Sequence, residues 1–157
     1  MAGYRFVRAA ARARLVELLR EHQLLTNRVH AAPGPTDQPA SGVTLLGAEE
    51  LETEVRDLRA GRKAYRDRFS QQLALRAADG FDSPGQAEAF ADELAGAVFD
   101  QIALDPTLGN PRVTGLHHAK ITGYDGPAAY PVPDGGGWEA YAVVTVEMLT
   151  EVGGSLP

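Results

Sequence analysis

The sequence predicts a single α+β domain in which a small antiparallel or mixed β-sheet carries two α-helices packed on one face. Three observations predict this fold. Two segments repeat their apolar residues every three or four positions, which is the pattern of an amphipathic helix. Other segments alternate apolar and polar residues, as half-buried strands do. The elements follow in the order helix, strands, helix, strands, which favours helices gathered on one side of a sheet. The 157 residues suffice for one such domain.

The first helix is predicted over residues 4–22, and its arginines fall mostly off the apolar stripe. That stripe is made by Val7, Ala11, Leu15, Leu18 and Leu19. A short strand is expected around Val29. Residues 33–42 then form an exposed loop, because three prolines and two glycines in this stretch support neither a helix nor a strand ladder.

The middle of the chain is predicted to be mainly strand. Residues 43–47 form a short one. Residues 48–60 stay open between two structures. Their glutamates alternate with other side chains as in a strand, whereas Leu51, Val55 and Leu58 also fit one face of a helix, and the high charge favours a helix.

Residues 65–77 form a clearer strand, whose odd-numbered positions hold most of its apolar side chains and are expected to face the core. The even-numbered positions share the other face. They are Arg66, Arg68, Ser70, Gln72, Ala74 and Arg76.

The second helix has clear start and stop signals. Ser83 is a suitable N-cap, Pro84 occupies the first helical position, and Gln86 completes a pair with Ser83 like that of a capping box. Asp105 stands before Pro106, and the residue before a proline resists helical geometry, so the helix should end there. The predicted buried face consists of Ala87, Phe90, Ala91, Leu94, Val98 and Ile102.

The last part of the chain is predicted to hold two strands and a loop. Residues 112–122 form a strand with a bulge at Gly115. Residues 123–137 contain three prolines and three consecutive glycines and are predicted to be a second flexible loop. Residues 138–149 alternate along their whole length and form the strongest strand.

Charge is distributed unevenly along the chain. Residues 1–78 hold 13 Lys and Arg against 9 Asp and Glu, a net charge of +4, whereas residues 79–157 hold 2 against 12, a net charge of −10. Opposite patches of this kind can steer one subunit onto another, although two separately solvated helices explain the pattern equally well. The overall net charge of −6 disfavours general nucleic-acid binding. The candidate subunit-interface charges are Arg59, Arg62, Arg66, Arg68, Asp92, Glu93 and Asp100.

A search for chemistry predicts no catalytic residue, cofactor or metal. The chain has no cysteine, which excludes disulfides, cysteine zinc sites and thiol nucleophiles. His117 and His118 are adjacent in a predicted strand and point to opposite faces, so they cannot readily share a metal. The three glycines at 135–137 precede a strand and do not open a helix, unlike a phosphate-binding loop. A combination of Ser41, Asp79 and His117 can be drawn, but nothing in the spacing positions it.

The beginning of the chain favours a surface helix over a targeting segment. No stretch approaches the roughly 20 apolar residues of a membrane span, and no apolar run long enough for a secretory signal is present. The arginines that interrupt the N-terminal segment are Arg5, Arg8, Arg12, Arg14 and Arg20. We therefore expect no membrane partner.

The C-terminal half contains a recognisable order of elements. An alanine-rich helix over residues 84–103 runs into the sequence Leu-Asp-Pro-Thr-Leu-Gly at 104–109. A strand with Gly123 and Tyr124 follows, then a loop, then a strand that begins with an aromatic residue.

Upstream, the sequence Leu-Arg-Ala-Gly-Arg-Lys at residues 58–63 precedes the strand over 65–77. In these features the chain resembles the tail terminator proteins, also called tail completion or minor tail proteins, of long-tailed phages of actinobacteria. The resemblance spans most of residues 4–149. Its sharpest element is the helix that ends at the Asp-Pro pair before two strands.

The resemblance implies a structural role. Proteins of this family form a hexameric ring at the head-proximal end of the tail tube, where the ring stops tube polymerisation and presents a surface to the neck or connector proteins. The family fold is a small sheet with two helices, and the family brings no catalytic residues to carry over. The expected partners are further copies of the chain, the tail tube protein and the connector, with DNA only in passage through the lumen. The expected location is the virion tail, after synthesis in the host cytoplasm. The alternatives are another head–tail junction protein, such as a stopper or head-closure subunit, and a small non-viral binding module.

Overall fold

The computed structural model describes residues 8–31, 41–57, 63–108 and 116–153. In these ranges the chain forms a five-stranded mixed sheet with two α-helices, so the predicted α+β fold is confirmed. The elements are α1 (Arg8–Arg20), β1 (Val29–His30), β2 (Gly42–Asp57), β3 (Lys63–Phe81), α2 (Pro84–Leu104), β4 (Leu116–Pro131) and β5 (Trp138–Gly153).

The strand order in the sheet is β1-β2-β3-β5-β4. β1 pairs with β2 in parallel, and the other neighbours are antiparallel. β2 and β3 pair along their lengths as far as Asp57 and Lys63. The open question over residues 48–60 is therefore answered as strand up to Asp57, while residues 58–60 lie outside the described ranges. Register shifts after Leu45 and after Glu50 interrupt the alternation, which explains why the sequence pattern was ambiguous there.

The predicted faces of β3 are confirmed. Its odd-numbered side chains are buried from Asp67 to Ala77, whereas most of the even-numbered ones are half-buried or exposed. Phe69, Leu73 and Leu75 enter the main core together with side chains of both helices. Both helices therefore pack on the odd-numbered side of β3, as predicted. Full burial of a leucine or phenylalanine stabilises the fold by roughly 1.5–3 kcal/mol relative to exposure.

The first helix is shorter than predicted, because its last regular turn ends at Arg20 and residues 21–28 form turns. Residues 4–7 lie outside the described ranges. The predicted stripe is buried at Ala11, Leu15, Leu18 and Leu19, and Val16 joins it.

The second helix begins and ends as predicted, with one difference at its start. The Ser83 hydroxyl accepts a hydrogen bond from the Gln86 N–H at 3.2 Å. The Gln86 side chain, however, accepts from the N–H of Asp82 at 3.2 Å, so it closes on the residue before the N-cap rather than on the N-cap itself. The helix ends at Leu104, and Asp105 is its C-cap, directly before Pro106.

The loop predicted over residues 123–137 is wrong for most of its length. β4 continues to Pro131, and the connection to β5 is confined to residues 132–137, with a 3-10 helix at Pro133–Gly135. β4 is the last strand of the sheet, where a proline costs no ladder hydrogen bond if its nitrogen faces outward. Register shifts after Ile121 and after Asp125 accommodate the glycines and Pro127 in the strand.

Two glycines allow close backbone approaches that position these strands. A Cβ on Gly42 would stand 2.6 Å from the carbonyl oxygen of Arg28, beside the hydrogen bond from the Val43 N–H to that oxygen. Gly137 has φ +85°, and a Cβ there would stand 2.7 Å from the carbonyl oxygen of Phe81. The remaining strand predictions agree with β1 at Val29 and with β5. The predicted start of the fourth strand, residues 112–115 with Gly115, lies outside the described ranges. Residues 33–40 of the first predicted loop also lie outside them, and Gly42 at its end belongs to β2.

Candidate functional site: the two outer faces

Two outer surfaces of the molecule carry most of the candidate interface charges. The first is the open sheet face, formed by the even-numbered side chains of β3 from Arg66 to Arg76 and the odd-numbered side chains of β5 from Glu139 to Leu149, with their neighbours on β4. Cross-strand partners share a face, and Arg68 stands opposite Leu149. Among the described elements, none packs on this side of the sheet, since both helices occupy the other one.

The second surface is the outer α2 face, which points away from the sheet. Its side chains are exposed and recur at helical spacing. They are Asp92, Glu93, Phe99, Asp100, Ala103 and Leu104, with Gly96 between them. The buried stripe of the same helix packs on β3, β4 and β5, so the outer α2 face and the open sheet face lie on opposite sides of the sheet.

The candidate charges divide between these two surfaces according to their sign. Arg66 and Arg68 lie on the open sheet face, and the three candidate acids lie on the outer α2 face. Arg59 and Arg62 lie outside the described ranges. The candidate charges predicted from the sequence therefore lie on two separate surfaces. Nothing in the sequence indicated that the sheet would lie between these surfaces.

Ion pairs cross the strands of the open sheet face. The Arg68 Nε lies 3.4 Å from a Glu147 carboxylate oxygen, and the Arg76 Nη2 donates to Glu139 at 3.1 Å. The other oxygen of Glu139 accepts a 2.5 Å hydrogen bond from the Tyr141 hydroxyl. This hydrogen bond and burial raise the pKa of Tyr141, against the opposing charge of the Arg76 guanidinium.

Aromatic side chains stand at the same end of the open sheet face. Tyr141 is 42% exposed and Tyr130 of β4 is 55% exposed, and their ring centroids are 6.1 Å apart. Charged, aromatic and small side chains therefore share this surface. It is not basic as a whole, because Glu139 and Glu147 stand among the arginines, and Glu52 and Glu54 of β2 are the cross-strand partners of Arg68 and Arg66.

On the outer α2 face, Tyr124 of β4 contacts one of the acids. The Tyr124 hydroxyl donates a 2.5 Å hydrogen bond to Asp92. Burial first and this bond second raise the pKa of Tyr124 well above its usual value. The Phe99 ring meets the Tyr124 ring edge-on at 6.0 Å between centroids, yet Phe99 remains 37% exposed. Leu104, at the end of the helix, is 78% exposed.

The arginines of α1 donate hydrogen bonds to groups inside the fold, which the sequence did not indicate. Arg8 donates two 2.6 Å hydrogen bonds to the carboxylate of Asp67, which is completely buried. Arg12 donates to the side chain of Gln71 at 2.6 Å and to the carbonyl of Leu46 at 3.1 Å. The basic half of the chain is therefore not simply a basic surface, because part of its charge lies inside the fold.

Two further arginines of α1 also donate hydrogen bonds, in both cases to backbone carbonyls. The Arg14 Nε donates to the carbonyl of Leu108 at 2.7 Å, and Arg20 donates to the carbonyl of Val29 at 2.8 Å. The available sequence signal was the presence of Asp67 and Gln71 on an otherwise apolar strand face. Two polar groups at core positions require hydrogen-bonding partners.

The groups that could suggest chemistry are not assembled into a defined site. Ser41 and Asp79 line one open pocket of about 400 Å³, but the Ser41 hydroxyl accepts a hydrogen bond from the Ala78 N–H. His118 is half-buried, and the side chain of His117 is not among those described. Within the described ranges, no group of three or more His, Asp or Glu side chains is arranged to hold a metal ion. A second open pocket, of about 480 Å³, lies beside Leu104 at the end of α2.

Comparisons with known proteins give no family. A scan of the chain against protein-family models found no match, and no curated protein matches the sequence significantly. Among the described residues, none of the helices is both long and apolar enough to cross a membrane.

Proposed function

We propose that this chain is a structural protein of a phage virion, a tail terminator that forms a ring at the head-proximal end of the tail tube. The resemblance in the helix and Asp-Pro stop at residues 84–109, and in the strands around it, is the starting point. The fold agrees with it, since a small sheet with two helices is the architecture that the resemblance implies.

One observation carries the proposal: each subunit has two different outer surfaces on opposite sides of one sheet. A closed ring of identical subunits requires two unlike surfaces that fit each other. The outer α2 face has exposed acids with Phe99 and Leu104, and the open sheet face has Arg66, Arg68 and Arg76 among other side chains. These surfaces differ in the way that a head-to-tail contact requires.

In this role the ring caps the tube and stops its polymerisation, and its other end joins the tail to the neck or connector protein. Residues 79–108 contain seven acids and no lysine or arginine. Acids of this segment that lie outside the contact between subunits would repel the phosphate backbone at the lumen, so that DNA passes without adhering. The proposed function requires no catalytic residue, cofactor or membrane, and it locates the protein in the tail at the head–tail junction.

The test is the solution mass of the purified chain at micromolar concentration, with and without tail tube protein. We expect either a hexamer or a monomer that assembles into rings on tube ends, together with tubes that stop growing. Light scattering gives the mass, and electron microscopy gives the tube length. The variant Ala13→Glu, at an exposed position of α1, serves as a control and should behave as the wild type does.

A chain that stays monomeric and leaves tube length unchanged would contradict the terminator role. If such a chain binds the connector protein, the result supports the alternative of a stopper or head-closure subunit. If it binds neither protein, a ligand screen directed at the open pocket beside Ser41 and Asp79 tests the non-viral binding module.

A further inference from the structure

A groove lies where the two helices end, at the edge of the outer α2 face. Its volume is about 480 Å³, within the range of about 300–1,000 Å³ that is usual for ligand sites. The Gln101 side chain joins the helices there, through a 2.7 Å hydrogen bond to the carbonyl of Leu18. We call this the helix-end groove. The residues that line it are His22, Asp100, Gln101, Ala103 and Leu104.

One wall of the helix-end groove is apolar and uncovered. Leu104 is 78% exposed, and Phe99 on the adjoining turn is 37% exposed. Phe99, Ala103 and Leu104 follow at helical spacing, so they form one strip of the outer α2 face, and Asp100 lies within this strip. Large exposed apolar side chains beside a groove favour a partner that inserts an apolar side chain of its own.

The helix-end groove also attracts cations. Both helices end beside it, and the carbonyl groups at the end of a helix carry a partial negative charge. The last turn of α2 contains no basic residue that would offset this charge. Asp100 lines the groove and Asp105 caps the helix, and among the described side chains neither has a cationic partner.

The basic groups of α1 closest to this groove are already engaged. Arg14 contacts two glutamates near the end of α1, at 2.9 and 3.7 Å. Arg20 donates to a backbone carbonyl at 2.8 Å. The His22 Nδ1 accepts a hydrogen bond from a backbone N–H at 3.1 Å, so this nitrogen carries no proton. The groove therefore fits a partner segment that offers an apolar side chain beside lysine or arginine.

The chain itself contains a segment of this chemistry where β2 leads into β3. Residues 56–63, with the sequence Arg-Asp-Leu-Arg-Ala-Gly-Arg-Lys, hold four cations and one acid beside a leucine. Asp57 is the cross-strand partner of Lys63, and opposite charges in such positions offset each other. We call this segment the basic tip. Its three remaining cations are Arg56, Arg59 and Arg62.

The arginines of the open sheet face offer no such surplus of positive charge. Both cross-strand partners of Arg66 are glutamates, Glu54 and Glu151. Arg68 and Arg76 each form an ion pair with a glutamate of β5. The open sheet face is therefore mixed in charge, and the basic tip is the part of the chain that suits the helix-end groove.

The described elements hold the basic tip away from the groove of the same copy. Arg8, at the start of α1, contacts Asp67. Arg12, one turn later, contacts Gln71, so α1 runs along β3 away from the tip. β3 continues from Asp67 to Lys63, about 13 Å in the other direction. The groove lies at the far end of α1, which has 13 residues and is about 20 Å long. The groove of another copy is therefore the counterpart within reach.

We propose that the basic tip of one copy of this chain docks in the helix-end groove of the next copy. Its arginines meet Asp100 and the carboxyl end of α2, and its leucine packs beside Leu104. The inference rests on the proposed ring and specifies the contact that builds it. Because the tip and the groove are different parts of the chain, the contact repeats in one direction around the ring.

Cysteine cross-linking tests this contact directly, because the chain has no cysteine of its own. The variant Ala60→Cys/Ala103→Cys has one thiol in the basic tip and one on the exposed wall of the groove, and it changes no charge. On oxidation, we expect a ladder of cross-linked multimers, both from the chain alone at high concentration and from rings on tube ends.

The matched control keeps the thiol in the tip and moves the other along the same helix. In Ala60→Cys/Ala89→Cys the second thiol is again at an exposed position of α2, but about 21 Å from the groove. A disulfide requires Cα atoms within about 7 Å of each other, so this variant should give no ladder.

Four outcomes would overturn the proposed contact. Equal ladders from the test variant and the control would do so, as would the absence of any ladder. A disulfide within one chain, seen as a monomer that migrates faster, would mean that the tip reaches its own groove. Cross-links from the test variant to the tube protein alone would mean that the groove receives another protein.

A charge exchange provides a second, independent test. Variant A carries Asp100→Lys/Ala103→Lys in the groove, and variant B carries Arg59→Glu/Arg62→Glu in the tip. Each alone should weaken self-association at least tenfold, because its altered part now repels the counterpart. An equimolar mixture should recover the wild-type mass, since A and B alternate around the ring with matched charges. Thermal unfolding followed by circular dichroism checks that both variants fold.

The control for variant A is Ala89→Lys/Glu93→Lys, which changes the charge of α2 by the same amount outside the groove. It should associate as the wild type does. A loss equal to that of variant A would mean that the overall charge of the helix decides association, and it would overturn the proposed contact. A mixture of A and B that remains unassociated would overturn it as well.

The two tests distinguish the contact from the function. If the wild type stops tube growth and variants A and B do so equally well, the proposed contact is wrong while the terminator role stands. If self-association follows the charge exchange but tubes continue to grow, the contact stands and the terminator role fails.

Discussion

The two helices lie on the same side of the sheet, yet different interactions hold them there. α2 contacts the sheet through an apolar stripe of alanine, leucine, valine and isoleucine. α1 buries an apolar stripe as well, but its margin is held by arginines, which donate to the buried Asp67 and to Gln71. Apolar contacts tolerate small displacements, whereas a bidentate guanidinium–carboxylate contact requires one orientation. We therefore expect α2 to supply more of the stability and Arg8 and Arg12 to set the position of α1.

The largest expected effect is that of a cavity beneath α2. Leu94 is completely buried in the main core. Leu94→Ala should lower the free energy of unfolding by about 3.5 kcal/mol, the middle of the usual range for such changes. Urea unfolding measures this, and Leu104→Ala, on the exposed side of the same helix, is the control and should change it by less than about 0.5 kcal/mol. Similar losses from both variants would contradict the described orientation of the helix.

Loss of the buried carboxylate should produce the next largest effect. Asp67→Ala removes the acceptor of two hydrogen bonds from Arg8, and we expect a loss of about 2–3 kcal/mol, somewhat below the usual range for a buried ion pair because Arg8 is one-third exposed. Asp79→Ala, at an exposed position of the same strand, is the control.

Hydrogen exchange on the Asp67→Ala variant sharpens the comparison of the helices. Exchange should accelerate in α1 more than in α2, because the hydrogen bonds from Arg8 to Asp67 join α1, and not α2, to β3. Equal acceleration in both helices would mean that the Arg8–Asp67 ion pair stabilises the whole core and does not specifically set the position of α1.

A smaller effect is expected where the two helices meet. The Gln101 side chain donates a 2.7 Å hydrogen bond to the carbonyl of Leu18, near the end of α1. Gln101→Ala leaves that carbonyl without this donor, and we expect a loss of about 1–2 kcal/mol. Urea unfolding gives the value, and Gln72→Ala, an exposed glutamine, is the matched control. A neutral result would show that water, or the Glu21 N–H that also donates to this carbonyl at 3.2 Å, satisfies it equally well.

The smallest effect concerns the polar contact between α2 and the sheet edge. Tyr124→Phe removes the hydrogen bond to Asp92 and should cost about 0.5–1 kcal/mol at neutral pH. Folding raises the pKa of Tyr124 above its usual value of 10.0, so the wild type loses stability as the pH rises past that value, where the unfolded chain releases the proton first. The phenylalanine variant lacks this contribution.

Urea unfolding between pH 8 and about 11 follows the difference between these two proteins. The wild-type advantage should hold constant up to about pH 9 and decline above about pH 10. Tyr130→Phe, at an exposed position of the same strand, serves as the control. A difference independent of pH would refute the role of the Tyr124 hydroxyl.

Much of the fold could be predicted because its signals are local. Alternating apolar and polar residues predicted β3 and β5 correctly. The N-cap and proline signals predicted α2 correctly. All of these signals act between residues that are close in sequence. Residues 123–131 were predicted wrongly because glycine and proline indicate a loop by composition, whereas an edge strand with register shifts accepts both.

The structural use of the arginines depends on distant partners and could not be derived from local pattern. Arg8 and Asp67 are 59 positions apart, and Arg14 and the carbonyl of Leu108 are 94 apart. For the candidate interface, the sequence selected exposed charges, but the division between two opposite surfaces required the topology of the sheet. Periodicity identifies which side of a helix faces inward, and it contains no information on which strand lies beneath.

The irregular edge strand has a consequence for how copies of this chain can meet. A long straight edge would present its free backbone groups to any other strand and invite the sheets of neighbouring copies to join without limit. β4 instead shifts register three times and contains two prolines, so its edge is a poor template for pairing. This strand therefore discourages the joining of copies along the β4 edge and leaves both faces of the sheet available, which suits the proposed terminator role.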